Sequence, residues 1–221
     1  MRRLALLTCA LLTCALLLAV PGSARADTWS GPDPTGDAVT YGYDPDPPPC
    51  GTETEGRSRN GDIRRLAVRH TGDDVTLVLR VVGLGKLKQI YLSLPLRTNR
   101  RSYDVVVDFP GKRPVRASLW TPTTYGEPSE PDECGNVYVG GGAQGLGCPE
   151  IAASFDRPTG RVTVTLPRSC LGTPRWVQAG ASVQGTHGND VVVLDHWQRP
   201  GTGDDDFRTP DYGARVRHSN H

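Results

Sequence analysis

Three aspartates early in the chain have the chemistry and spacing to converge on a hard cation. Asp33-Pro34-Thr35-Gly36-Asp37 sets two carboxylates on either side of a glycine, and Gly61-Asp62-Ile63 places a third just ahead of the first long apolar run. Tyr41-Gly42-Tyr43-Asp44-Pro45-Asp46 lies between them and adds acidic residues along a turning path. Calcium takes about six to eight oxygens, carboxylate and backbone carbonyl alike, so a chain that turns back on itself can assemble such a site from separated residues. Gly36 permits the tight turn that would bring Asp33 towards Asp37. Asp33, Asp37 and Asp62 are therefore the candidate calcium ligands. The competing account is that Asp-Pro and Gly-Asp are ordinary turn formers with solvated side chains, which explains the same residues without a metal.

A nucleophile with its base is harder to find. No Gly-x-Ser-x-Gly elbow occurs, and the nearest stretch, Ala181-Ser182-Val183-Gln184-Gly185, lacks the first glycine. His187, Asp190, Asp195 and His196 lie close in sequence and have the chemistry of an acid–base pair or of metal ligands. Gly185, Gly188 and Asn189 around them read instead as a turn. No carboxylate pair stands out for glycosidic cleavage, because the separation that matters is set by the fold. Sugar binding would need exposed rings, and aromatics are only 6% of the chain. Of Trp120, Tyr125, Tyr138, Trp176 and Trp197, Trp176 opens an alternating stretch and reads as core, leaving Trp120 and Trp197 as surface candidates for ligand contact. The glycines between Cys134 and Cys148 lack the strand-to-helix context of a phosphate cradle and read as a constrained surface loop. Asp204-Asp205-Asp206, with Asp211 nearby, reads as a solvated charge run.

Met1-Arg2-Arg3, an apolar run from Leu4 to Val20, the Pro21-Gly22 break and Ala24-Arg25-Ala26 have the layout of a secretory signal peptide over residues 1–26. The run is short for a bilayer span and no second one follows, so a secreted, extracellular protein with no membrane attachment after cleavage is expected. Arg2-Arg3 lacks the flanking residues of a twin-arginine signal, and Thr13 before Cys14 is bulkier than the residue that precedes a lipidated cysteine. Residues 27–221, 195 of the 221, suffice for one domain, expected as a monomer. Without Arg2, Arg3 and Arg25, 22 basic residues face 24 acidic ones, so nucleic acid and anionic membranes have no bulk electrostatic claim. Lys86, Lys88 and Lys112 are the only lysines, an arginine bias that fits GC-rich coding. Cys50, Cys134, Cys148 and Cys170 imply two disulfides with three pairings open. Cys134 with Cys148, closing the Gly-rich loop between them, and Cys50 with Cys170 is the expected choice; zinc is the competing use of cysteines, but no C-x-x-C spacing points to it.

The elements that must position these residues are β-strands. Residues 27–61 are rich in Pro, Gly and Asp and are expected to form an irregular leading segment. From Asp62 the period becomes two: Ile63 to His70 and Val75 to Val81 read as a hairpin across Thr71-Gly72-Asp73-Asp74. Gln89 to Leu94, Ser102 to Phe109 and Val115 to Leu119 follow, the last two joined by the Pro110-Gly111-Lys112 turn. Glu150 to Phe155 pairs with Arg161 to Leu166 across a turn ending at Gly160, and Trp176 to Thr186 and Val191 to Leu194 are the last strands expected. No amphipathic helical period persists, so residues 62–198 are expected to be an all-β, two-sheet antiparallel β-sandwich of jelly-roll or Ig-like type, stabilised by disulfides. Residues 199–221 hold no core-forming run and are expected to be a mobile tail.

A D-P-x-G-D opening, an acidic residue ahead of the first core strand and a β-sandwich together resemble the group that contains family-nine carbohydrate-binding modules and DOMON domains. The chain is also similar to short exported proteins of GC-rich actinobacteria. The first resemblance, over Asp33 to Thr186, implies a structural calcium held by Asp33, Asp37 and Asp62. It implies a non-catalytic module with a carbohydrate or cell-envelope ligand. Two other functions compete: a small secreted hydrolase using His187 to His196, and an inhibitor-like protein presenting a disulfide-closed 134–148 loop. The hydrolase needs a histidine in a concave pocket beside a second titratable group, and the inhibitor needs an exposed rigid loop.

Overall fold

The computed structural model describes residues 27–44, 50–110, 113–187, 191–198 and 210–218. The signal-peptide segment, the proline-crowded residues 45–49, the Gly111-Lys112 turn, Asp190 and the Asp204 to Asp206 run lie outside the described residues. In chain order the strands are β1 (Asp27–Pro32), β2 (Val39–Asp44), β3 (Thr52–Arg57), β4 (Ile63–His70), β5 (Asp74–Val81), β6 (Lys88–Thr98), β7 (Ser102–Asp108) and β8 (Arg116–Trp120). They continue with β9 (Thr124–Pro128), β10 (Val139–Gly142), β11 (Gly145–Leu146), β12 (Ala152–Asp156), β13 (Arg161–Pro167), β14 (Trp176–Ala179), β15 (Ser182–His187), β16 (Val191–His196) and β17 (Val216–Arg217). Two 3-10 turns, Leu84–Lys86 and Arg168–Leu171, are the only helix among the described residues. None is long and apolar enough to cross a membrane.

Two antiparallel sheets carry the core. The smaller runs β1-β4-β5-β13-β12; the larger runs β11-β8-β7-β6-β15-β16-β2-β3, with β14 also on β6 and β17 on β14. The alternation that defines β5 puts Val75, Leu77, Leu79 and Val81 inward, where they meet Leu92, Leu94 and Leu96 of β6 and Val105 and Val107 of β7 in one buried cluster. Each such side chain contributes about 1.5–3 kcal/mol over its exposed state. Thr71 fixes the β4–β5 turn by accepting from the Asp73 and Asp74 amides and donating to the Asp74 carbonyl. Gly160 closes the β12–β13 turn at φ 64°, where an added Cβ would lie 2.0 Å from the Val81 carbonyl oxygen. The fold is all-β and carries two disulfides, as the alternating pattern and the even cysteine count require.

Four expectations are corrected. Residues 27–61 supply three strands: β1 lies along β4, β2 along β16 and β3 along β2. These strands carry no apolar–polar alternation to read; Thr52-Glu53-Thr54-Glu55 in β3 is an exposed edge paired to β2, with Thr54 Oγ1 donating to the Gly42 carbonyl at 3.4 Å. The tail likewise returns to the sheet. Val216 is buried and pairs with Val177, and its carbonyl sits 3.2 Å from His70 Nδ1, beside the His70–His218 ring contact at 5.8 Å. The disulfides join Cys50 to Cys134 and Cys148 to Cys170. The first pins the β2–β3 connection to the β9–β10 connection, so the 134–148 segment is not closed on itself. The stretch from Trp176 to Thr186 also divides: Gly180 donates to the Pro95 carbonyl, and β14 and β15 pair with successive parts of the long strand β6.

Candidate metal centre

The end of β1, the start of β2, the start of β4 and the end of β16 meet at one corner of the sandwich, and each brings an aspartate. Asp33 follows Pro32, and its amide donates to the Arg64 carbonyl at 3.2 Å. Gly36, at φ 77°, turns the chain so that its own amide donates to Asp62 Oδ2 at 2.9 Å. Asp37 is fixed through its backbone, whose carbonyl accepts from Arg57 at 2.8 Å. In β4 the register slips between Ile63 and Arg65. This bulge lets Ile63 and Leu66 both face the core and frees Arg64 to reach Asp62 Oδ2 at 2.9 Å.

Asp195 is the member the sequence reading left out of the group. It sits on β16 between Val193 and Trp197, all three buried. Alternation from Val193 therefore points its carboxylate inward, a signal that was present in the sequence. Oxygens of Asp33, Asp37 and Asp195 lie within 4.8 Å of one another. Asp62 stands alongside this triad, and its negative charge pushes up the pKa of Asp33, Asp37 and Asp195, while its own carboxylate accepts from Gly36 and Arg64.

The hydrogen bonding leaves a gap in the middle. Asp33 Oδ1 accepts from the Gln198 amide at 2.7 Å, and the Asp195 oxygens accept from the Ile63 and His196 amides. Asp33 Oδ2, Asp62 Oδ1 and both Asp37 oxygens are buried with no hydrogen-bond partner. Asp33 is 5% exposed and Asp62 fully buried. A buried carboxylate oxygen without a partner is costly. Burial pushes Asp33 up to about 8 against the Gln198 amide, with Asp195, Asp37 and Asp62 adding to the rise. Burial also lifts Asp195 to about 8, opposed by the Ile63 amide. Asp37 and Asp62 are raised by burial too, with Arg64 working against the rise at both and Arg57 at Asp37. Raised in this way, Asp33 and Asp195 keep their protons at neutral pH unless a cation takes the protons' place; fully ionised, the four carboxylates would exceed Arg57 and Arg64 by two charges, the charge of one divalent cation. The all-oxygen donor set suits a hard ion such as calcium.

The other sites read from the sequence are placed differently. Trp197, expected at the surface, is 2% exposed, packs edge-on against Trp29 at 5.3 Å and donates from Nε1 to the Pro32 carbonyl. It is core, and it braces the residue that precedes Asp33. Trp120 is half-buried on β8, donates to Ser118 Oγ at 2.8 Å and lies over Gly145 of β11. Trp176 is half-buried beneath Arg215, 4.5 Å from the ring centre. His187 pairs with Val191 and His196 with Ser182, opposite ends of the β15–β16 hairpin. Five residues of strand, roughly 16 Å, separate them, so they do not form a catalytic pair. Cys148, Glu150 and Cys170 also cluster, but both thiols are spent in the disulfide. No family model, curated protein or solved structure matches this chain.

Proposed function

We propose that the protein is an exported, non-catalytic binding module whose sandwich is locked by a calcium ion held by Asp33, Asp37 and Asp195, with Asp62 supporting. The reading rests on one observation: buried carboxylate oxygens of Asp33 and Asp37 that have no hydrogen-bond partner belong to a group in which oxygens of Asp33, Asp37 and Asp195 lie within 4.8 Å of one another. Asp33 Oδ2 and the Asp37 carboxylate would hold the ion, which supplies charge neutralisation and cross-linking of β1, β2 and β16. The two disulfides require an oxidising compartment and fit the signal-peptide layout of residues 1–26. The resemblance to family-nine carbohydrate-binding modules and DOMON domains points the same way. Half-buried Trp120 and the exposed Tyr43, Tyr91, Tyr125 and Tyr138 are rings able to contact a glycan or cell-envelope ligand.

The test is the melting temperature of the oxidised protein in calcium and in EGTA. An ion at a hundred times its Kd adds about 2.7 kcal/mol, which for a domain of this size raises Tm by about 5–10 °C. Asp33→Asn and Asp195→Asn should each abolish the calcium-dependent rise. An equal Tm with and without calcium would return the aspartates to turn chemistry and remove the metal from the reading.

A further inference from the structure

On the opposite side of the smaller sheet, where β12 is the free edge, the two sheets do not close. A cleft of about 730 Å³ opens there, within the usual size of small-molecule sites, about 300–1,000 Å³. Leu87, Ile90, Phe109, Val115 and Phe155 form its floor, and all but Leu87 are half-exposed in a concavity. Phe109 and Phe155 meet edge to face at 5.4 Å. Lys88, Arg113 and Arg157 stand exposed on its rim, and no Asp or Glu among the described residues lines it. Arg157 lies 5.8 Å from the Phe155 ring centre, so one cation borders the apolar floor directly.

The backbone is distorted at this place. Leu87, Lys88, Gln89 and Ile90 all line the cleft, whereas a regular strand would turn alternate residues away. They manage it because Gln89 takes φ 45° and the β6–β15 register slips there, with Lys88 and Tyr91 opposite Thr186 and Gln184. A left-handed non-glycine residue is costly and persists only where its surroundings enforce it. Bulges of this kind re-aim side chains at functional edges.

We infer that this cleft is a binding site for a small, free amphipathic anion: an apolar body seated on the Phe109–Phe155 floor, with a carboxylate-type head met by Lys88, Arg113 and Arg157. Charge complementarity commits the occupant, since an all-cationic rim over an apolar floor rejects an amphipathic cation and gains little from a bare anion or a bare chain. The site is separate from the aspartate cluster and does not depend on calcium there.

The experiment uses dodecanoate below its micelle concentration as the probe, by titration calorimetry on the oxidised protein, with dodecyltrimethylammonium and acetate as controls. Dodecanoate is expected to bind one per chain, both controls at least tenfold more weakly, and the affinity to fall with added salt. The double variant Lys88→Glu/Arg157→Glu alters only exposed side chains; it should raise the dodecanoate Kd by tenfold or more while leaving the melting temperature and its calcium response unchanged. Ala153→Trp, which fills the cleft, should block binding. No binding of dodecanoate, equal binding of the cationic surfactant, or an unchanged Kd in the charge-reversed variant would each overturn the proposal, whatever the calcium result.

Discussion

The two edges of the smaller sheet solve opposite problems. At the β1–β4 edge, charged groups have been taken out of water: four aspartates crowd a corner walled by Trp29 and Trp197, and their own hydrogen bonds do not satisfy them. At the β12 edge, apolar groups have been left in water, and the nearby charges are cations that remain solvated on the rim. The proposed counter-ion would complete the first edge, and the proposed amphipathic anion would cover the second. The comparison teaches that unsatisfied chemistry in a fold can be of either sign of polarity, and that each kind specifies its complement.

The largest expected contrast is in packing. Trp197→Ala should cost about 3–5 kcal/mol, because a fully enclosed indole and its bond to the Pro32 carbonyl are lost. Phe155→Ala at the open edge should cost roughly half that or less, since much of its ring is already hydrated. Urea unfolding of the two variants decides the matter, and equal losses would mean that the β12 edge is as closed as the other.

Next in size is the pH response. In the metal-free protein Asp33 and Asp195 titrate at about 8 against an ordinary 3.8. The native state then binds more protons than the unfolded chain across that window, so stability in EGTA should fall as pH rises from about 4 to about 8. Calcium holds the carboxylates ionised and releases their protons, so saturating calcium should flatten this decline. Unfolding free energies at several pH values with EGTA and with calcium test it; parallel curves would break the link between the cluster and a cation. The smallest effect is local. Gly36→Ala meets no atom within 4 Å but must hold φ 77°, so about 1 kcal/mol of stability should be lost, together with part of the calcium-dependent Tm rise, since the Gly36 amide anchors Asp62.

The core strands were legible because β5 and β7 place an apolar residue at every second position, on the one face that is buried, even though Val78 and Val106 interrupt the polar set on the other. The strands β1, β2 and β3 were not, because β1 and β3 are edge strands and β2 lies next to the edge, and none of them buries a regularly alternating apolar face that would mark side-chain type. Asp33, Asp37 and Asp62 could be picked out by their turn residues, and the chain does bring them to one corner. Asp195 was noticed only beside His196, because proximity along the chain drew the eye away from its place on the inward face of β16. Trp197 was misjudged for the same reason: it follows the strand, yet its ring continues the inward row of Val193 and Asp195. Disulfide pairing depended on which loops meet in space, and Cys50 with Cys134 joins two loops that 84 positions of sequence separate.

The clasp at His70 has one more consequence. Asp27 of the first strand lies opposite His70, and the last strand reaches the same residue through Val216. The two described ends of the chain thus fasten to one strand, so the path through the sandwich is nearly a closed ring. A circular permutant that links residue 218 to residue 27 through a short flexible peptide, and opens in the exposed β9–β10 connection, would keep both sheets intact. Its termini would then emerge beside Cys134, far along the chain from the corner of aspartates.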